Sequence, residues 1–185
     1  MKRVIPFLLL IVPLAFSCTA PQQENGQSQE LLALQAELDS LKNLGHAYVN
    51  SPKGQITTFL TFQENNAEEA MNFYISLFKN SKVTDIQRYG KEGPAPEGSI
   101  MMARFELNGS LFACSDSYIK HEWNFTPGVS NWVDCSSEDE IGTLFQQLSE
   151  KGKVLMPVGN YGFSPKFAFV EDQFGVSWQL NWAGE

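Results

Sequence analysis

Histidine and cysteine are scarce in this sequence of 185 residues, which contains two histidines and three cysteines. Zinc sites and catalytic thiols depend on such side chains at close spacing, and no CxxC motif is present. Basic residues are also few, with 13 Lys and Arg against 21 Asp and Glu, and the formal net charge is −8. Because an acidic surface repels phosphate groups, we expect no nucleic-acid partner.

No apolar run is long enough to cross a membrane as a helix, which takes about 20 residues. The N-terminus instead combines Lys2 and Arg3 with an apolar stretch over residues 4–16 and small residues at Ala15 and Ser17. This three-part pattern is typical of a secretory signal. We therefore predict that residues 1–17 form a cleavable leader and that the protein is exported.

Cys18 follows the leader directly, and the segment Leu-Ala-Phe-Ser-Cys over residues 14–18 resembles the lipobox of bacterial lipoproteins. The resemblance implies that Cys18 is lipidated and that the protein is held in the cell envelope by its lipid anchor alone. Ordinary secretory cleavage near Ala20, with Cys18 left as a free thiol, is the alternative.

Residues 18–54 are predicted to be a tether between this anchor and a domain over residues 55–185. Residues 19–29 are rich in Gln, Pro, Ser and Gly and lack apolar periodicity, which favours a flexible chain. A short helix is then indicated by leucines that recur at spacings of three and four, at Leu31, Leu34, Leu38 and Leu41. This helix either pairs in a coiled coil or lies singly on the domain.

The domain repeats one order of elements, which is a strand, a helix and three further strands. The first unit has predicted strands at 56–62, 83–89, 99–107 and 110–115, the last two joined by an Asn108-Gly109 turn, and its helix is capped by Asn65. The second has strands at 129–135, 153–158, 166–171 and 176–182 and a helix at 137–150. The predicted class is α+β, with two tandem βαβββ units forming a curled mixed sheet around a shared cleft.

Each predicted helix has one apolar face that must be buried. In the first helix the face comprises Ala70, Phe73, Tyr74, Leu77 and Phe78, and in the second Ile141, Leu144, Phe145 and Leu148.

Cys114 and Cys135 fall on separate predicted strands. They either are small core residues or form a disulfide with each other. A disulfide would need their Cα atoms to lie within about 7 Å.

The segment over residues 169–180, Phe-Val-Glu-Asp-Gln-Phe-Gly-Val-Ser-Trp-Gln-Leu, resembles the closing motif of the vicinal oxygen chelate superfamily, which includes glyoxalase, bleomycin-resistance and dioxygenase proteins. Residues 68–70, 73–74, 77–78, 105–109 and 175–179 are similar to its PhnB-like branch. The resemblance covers residues 56–182. It implies tandem βαβββ units, a small-molecule partner and pairing as a homodimer.

Metalloenzymes of that superfamily hold a divalent cation with His, Gln or Glu side chains from the first and last strands of each unit. The resemblance places Thr57 in the first of these positions and Gln179 in the last, and the intervening positions carry no strong donor. Hydroxyls and amides are weak ligands, so we predict no metal and no cofactor. His121 falls in the connection over residues 117–128, where a solvated loop residue and a metal ligand are the alternatives.

Strand alternation predicts which side chains face the cleft. On the last strand Ser177 and Gln179 lie opposite Val176, Trp178 and Leu180. The predicted pocket contains Ser177, Gln179 and Thr57. It is completed by residues of the third and fifth strands, namely Arg104, Glu106, Ser130, Trp132 and Asp134. The alternative is that Arg104 and Glu106 form a local ion pair and that Trp132 only packs.

Three functions fit these residues. The first is metal-independent binding of a small molecule at the envelope. The second is a lyase, isomerase or dioxygenase with a non-standard metal site, or with Asp134 or Glu106 as a general base. The third is a self-associating interaction module. Some PhnB-like domains carry a ubiquinone-pathway methyltransferase label, but the sequence has no glycine-rich strand-turn-helix for a methyl-donor nucleotide.

Overall fold

The computed structural model describes residues 54–184 together with residues 29, 31, 32, 34 and 35. The predictions for the leader, for Cys18 and for most of the tether lie outside the described residues. Leu31, Leu32 and Leu34 are helical, and each is more than half exposed. Within the described parts of the chain, no helix has the length and apolar character needed to cross a membrane.

The domain consists of two units with the same order of elements, as predicted. The first contains β1 (Thr58–Phe62), α1 (Ala67–Leu77), β2 (Lys82–Arg88), β3 (Ile100–Leu107) and β4 (Ser110–Asp116). The second contains β5 (Asn131–Asp134), α2 (Glu138–Ser149), β6 (Lys153–Gly159), β7 (Lys166–Glu171) and β8 (Ser177–Trp182). The strand boundaries lie within two residues of the predicted ones.

The strands form two four-stranded mixed sheets, with the orders β1-β4-β3-β2 and β5-β8-β7-β6. In each sheet the first strand of the unit runs parallel to the last, and the remaining pairs are antiparallel. The parallel pair requires a long crossover between its strands, and this crossover contains the helix. The predicted α+β class with two βαβββ units is therefore confirmed.

The core is formed by one face of each sheet and the apolar face of its helix. Ala70 and Tyr74 of α1 are fully buried, as predicted, and Met71 is buried with them. In α2 the buried residues are Ile141, Leu144 and Leu148. Trp178 of β8 packs against Tyr74 and Phe78, with ring centroids 5.2 and 5.5 Å away, so the helix of the first unit contacts the sheet of the second.

The first helix begins differently from the prediction. Asn65 has a φ of +55°, the cap position is Asn66, and the Asn66 side chain makes no capping hydrogen bond. The amide of Ala67 instead donates to Oδ1 of Asp116 at 2.9 Å, and the amide of Ile100 donates to Oδ2 of the same carboxylate at 2.8 Å. A buried carboxylate at the end of β4 therefore replaces the predicted local cap.

The hairpin between β3 and β4 has the predicted turn. Asn108 and Gly109 have φ angles of +46° and +83°. A two-residue turn with positive φ at both positions matches the twist of the adjoining strands, and Asn-Gly adopts it at low cost.

Both described cysteines are unpaired and buried, so of the two alternatives the structure has core cysteines and no disulfide between Cys114 and Cys135. Burial raises the pKa of Cys114 to about 12, and the nearby Asp116 carboxylate adds to the effect. Burial also raises the pKa of Cys135 to about 12, with a contribution from Glu140.

The native thiols should therefore resist alkylation. In protein carrying Cys18→Ser, we expect iodoacetamide at pH 8 to modify Cys114 and Cys135 at least about 100-fold more slowly than a free cysteine, because only the thiolate reacts. The same sample in denaturant should react at both thiols, as measured by intact-mass spectrometry. Rapid modification of the native protein would contradict the burial of these side chains.

Candidate ligand-binding site

A cavity of about 440 Å³ in the described domain borders both sheets. We call it the inter-sheet cavity. It is lined by Thr58, Phe78, Leu107, Asn108, Ser110, Leu111, Phe112, Ser130, Asn131, Trp132, Val133, Asp134 and Trp178. Its size falls within the range of small-molecule sites, and aromatic walls with a few polar groups are typical of them.

The predicted site residues are only partly brought together in this cavity. Ser130, Trp132 and Asp134 line it, and Thr58 does so in place of its neighbour Thr57. The remaining predicted residues, Arg104, Glu106, Ser177 and Gln179, lie outside the lining.

Strand pairing shows which faces these side chains occupy. Trp132 is opposite Gln179, and Asp134 is opposite Asn181, so all four lie on one face of the second sheet. The other face carries Leu180, which is fully buried in the core cluster that also contains the apolar residues of α2. The Trp132 face is therefore the one that α2 does not cover, and we call it the helix-free face.

Hydrogen bonds between side chains hold the polar groups of the helix-free face. Nε2 of Gln179 donates to Oγ of Ser130 at 2.7 Å. Oδ1 of Asp134 accepts from Nε1 of Trp132 at 2.8 Å and from Nδ2 of Asn181 at 2.9 Å. The bond from Trp132, and then that from Asn181, lowers the pKa of Asp134. Asp134 is therefore an ionised acceptor near neutral pH.

Ser177 and Glu106 have surroundings that differ from the expected ones. Ser177 is only 2% exposed, so its hydroxyl does not reach a solvent-open cleft. Glu106 on β3 forms an ion pair with Lys82 on β2, with Oε2 and Nζ 3.4 Å apart. Arg104 was the partner considered for Glu106 from the sequence, and the structure has Lys82 in that role. Such a partly exposed pair contributes at most about 1 kcal/mol.

A cluster of aromatic rings on the second unit was not predicted. Phe167 is buried, and its ring centroid lies 5.7 Å from Trp132, 5.9 Å from Tyr161 and 5.0 Å from Phe163. We call these four residues the aromatic platform. Tyr161 and Phe163 lie in the connection between β6 and β7, where sequence periodicity carries no signal, so only the folded chain shows their contact with Phe167.

His121 lies in the loop after β4, as predicted, and borders a second cavity of about 280 Å³. Gln63 holds this loop: its Oε1 accepts from the amide of His121 at 2.6 Å, and its Nε2 donates to the carbonyl of Trp123 at 2.6 Å. The imidazole stacks on the Trp123 ring at 4.3 Å and contacts Oγ of Ser117 at 3.0 Å. These contacts anchor the loop to the end of β1.

The donors available do not fit the divalent-cation site of the superfamily's metalloenzymes. Among residues 54–184, no three His, Cys, Asp or Glu side chains converge on one point. The Gln179 amide is hydrogen-bonded to Ser130, and His121 borders the second cavity, whose lining does not include Gln179. Thr57 offers a neutral hydroxyl, which is a weak ligand for such a cation.

The tandem βαβββ units define a protein of the vicinal oxygen chelate architecture. A family model described as 3-demethylubiquinone-9 3-methyltransferase matches residues 54–181. The chain belongs to this family, whose PhnB-like character was predicted from the sequence.

Solved structures support the assignment. The PhnB protein from Bacillus cereus is 51% identical, with a TM-score of 0.68, and the match covers 70% of this chain and 99% of that one. A protein from Pseudomonas aeruginosa is 28% identical, with a TM-score of 0.63, over 71% and 98% of the two chains. No curated protein matches the chain.

Proposed function

We propose that the domain binds a small organic molecule without a metal ion, at the inter-sheet cavity and the adjoining helix-free face. The observation that carries the proposal is the cavity of about 440 Å³, in which aromatic walls meet a small set of polar groups. Shape and apolar contact supply affinity in such sites, and a few placed hydrogen-bonding groups supply orientation.

The polar groups are already held in place. The bond from Gln179 orients the Ser130 hydroxyl, and the bonds from Trp132 and Asn181 orient the Asp134 carboxylate. A ligand that bonds to these groups therefore loses less free energy to ordering of side chains. Neutral oxygens with a single carboxylate can orient a polar ligand, but they do not supply the charge donation that a catalytic cation needs.

Binding is favoured over catalysis by the state of the carboxylates. A general base works best when its pKa is near the operating pH. The hydrogen bonds from Trp132 and Asn181 lower the pKa of Asp134, which makes this carboxylate a weaker base. Glu106 is engaged with Lys82. Methyl transfer, the reaction in the family's description, has no evident support within residues 54–184, where no strand leads through a glycine-rich loop into a helix.

We also propose that the protein is lipid-anchored in the cell envelope through Cys18 and pairs as a homodimer. The leader and lipobox pattern support the anchor. The exposed Leu31, Leu32 and Leu34 support pairing through the tether helix.

Sedimentation of the detergent-solubilised chain should give a dimer, and a monomer at micromolar concentration would contradict this part of the proposal.

Gln179→Ala tests the binding site. Native mass spectrometry of protein purified from envelope membranes should first show a retained small molecule. The variant should then bind that molecule more weakly by about 1 to 3 kcal/mol, measured by calorimetry, because the Ser130 hydroxyl loses its partner. Gln147→Ala, which removes an exposed amide from α2, is the matched control.

Exhaustive chelation should change neither this affinity nor the thermal stability. Purified protein that contains stoichiometric nickel, zinc, iron or manganese, with an activity lost to a chelator and restored by that metal, would overturn the proposal in favour of a metalloenzyme.

A further inference from the structure

The aromatic platform exposes an unusual amount of ring surface. Phe163 is 66% exposed and Trp132 is 50% exposed, and both rest on the buried ring of Phe167. Large aromatic side chains in a contiguous exposed group are uncommon on surfaces with no binding role. The rings are tilted against one another: Trp132 makes an interplanar angle of 36° with Phe167, and Phe163 makes one of 69°. A flat ligand can therefore stack on the face of one exposed ring while it contacts the other at an angle.

Two rings of the platform are fixed in orientation by hydrogen bonds of their polar atoms. The Tyr161 hydroxyl donates to the carbonyl of Pro157 at 2.9 Å. The Trp132 indole nitrogen donates to Oδ1 of Asp134 at 2.8 Å. A ring that is already oriented stacks on a ligand at a smaller entropic cost.

The edge of the platform carries negative charge. Asp134 receives both of its described hydrogen bonds at Oδ1, from Trp132 and Asn181, and no donor among residues 54–184 bonds to Oδ2. Lys166 is the basic residue next to Phe167 in sequence, but its side chain pairs with Glu138 of α2. An exposed carboxylate oxygen therefore stands at the nitrogen-bearing edge of the Trp132 ring without a cationic partner among these residues.

We propose that the platform selects a planar aromatic cation, which stacks on Trp132, contacts Phe163 at an angle and places its positive group beside Asp134. This inference rests on the proposed small-molecule function and names the chemical class of its ligand. A cation above an aromatic ring is attracted by the negative face of the ring, and the carboxylate adds a direct charge interaction. A neutral ring would stack without using Asp134, and an anionic ring would be repelled.

A set of matched probes separates these contributions. The cation is 1-methylquinolinium, the neutral probe is quinoline at pH 8, and the anion is 1-naphthoate. Each is titrated into the detergent-solubilised full chain by calorimetry. We expect 1-methylquinolinium to bind at least about tenfold more tightly than quinoline and 1-naphthoate to bind more weakly still.

Variants assign the preference to residues. Asp134→Asn should reduce the preference for the cation to the part that the aromatic face supplies and change quinoline affinity by less than about twofold, because the amide oxygen can still accept from Trp132. Trp132→Ala and Phe163→Ala should each weaken both probes by at least about fivefold. Trp123→Ala and Glu122→Gln remove an aromatic ring and an acid at the second cavity, and they should leave all affinities unchanged.

The outcomes distinguish this inference from the function on which it rests. Equal binding of cation and neutral probe, or an equal loss of both in Asp134→Asn, overturns the selection of cations. Binding of the neutral or anionic probe that still depends on Trp132 overturns the class but supports a small-molecule site. If no probe binds, the inference fails. If native mass spectrometry also finds no retained molecule, the proposed function fails with it.

Discussion

Replacement of Asp172 by Ala is expected to lower the free energy of unfolding by about 3 to 6 kcal/mol, because three donors lose a buried acceptor. Oδ1 of Asp172 accepts from the amides of Phe174 and Val176 at 2.8 and 3.0 Å. Oδ2 accepts from Nε1 of Trp178 at 2.8 Å. The carboxylate thus ties the turn before β8 to the tryptophan that contacts α1.

Burial of Asp172 opposes part of this stabilisation. The side chain is 4% exposed, and desolvation raises its pKa even though Trp178 and the two amides favour the charged form. Tyr74 lies close enough for the charge of Asp172 to raise the tyrosine pKa further, after the larger effect of burial. The Tyr74 hydroxyl is nevertheless buried without a hydrogen-bond partner, because its position relative to Asp172 does not meet the geometry of a hydrogen bond.

Urea unfolding followed by circular dichroism measures the effect. Gln173→Ala, an exposed change in the same turn, should alter stability by no more than about 0.5 kcal/mol. Asp172→Asn keeps one acceptor oxygen and should fall between the wild type and Asp172→Ala. If Asp172→Ala is as stable as Gln173→Ala, the carboxylate does not organise this turn.

Cys18→Ser is expected to move the protein from the membrane fraction to the periplasmic or released fraction almost completely. The reason is that the proposed attachment depends on acyl chains carried by Cys18. Fractionation and incorporation of radiolabelled palmitate measure the two consequences. Both signals should disappear in the variant.

Cys114→Ala is the matched control for this experiment, because it removes a buried thiol and leaves the lipobox pattern intact. It should remain in the membrane fraction and incorporate palmitate as the wild type does. Palmitate that still enters the Cys18→Ser protein would contradict the assignment of Cys18 as the lipidated residue.

The order of elements was predictable because it depends on local periodicity. The spacing of Ala70 and Tyr74 predicted the buried face of α1, and Asn108-Gly109 predicted a turn that needs positive φ at both positions. The start of α1 was not predictable in the same way. Its acceptor, Asp116, is 49 residues away from the amide of Ala67, and the sequence contains no local sign of that contact.

For the candidate site, the sequence by itself determined that Trp132 and Asp134 share a face, since successive strand residues point to opposite sides. It also excluded a site rich in histidine or cysteine. Only the tertiary structure decided that Ser177 is buried, that Glu106 pairs with Lys82, and that Tyr161 and Phe163 join Phe167. Alternation is a property of the backbone of one strand, whereas these contacts depend on strand register and loop packing between residues that are distant in sequence.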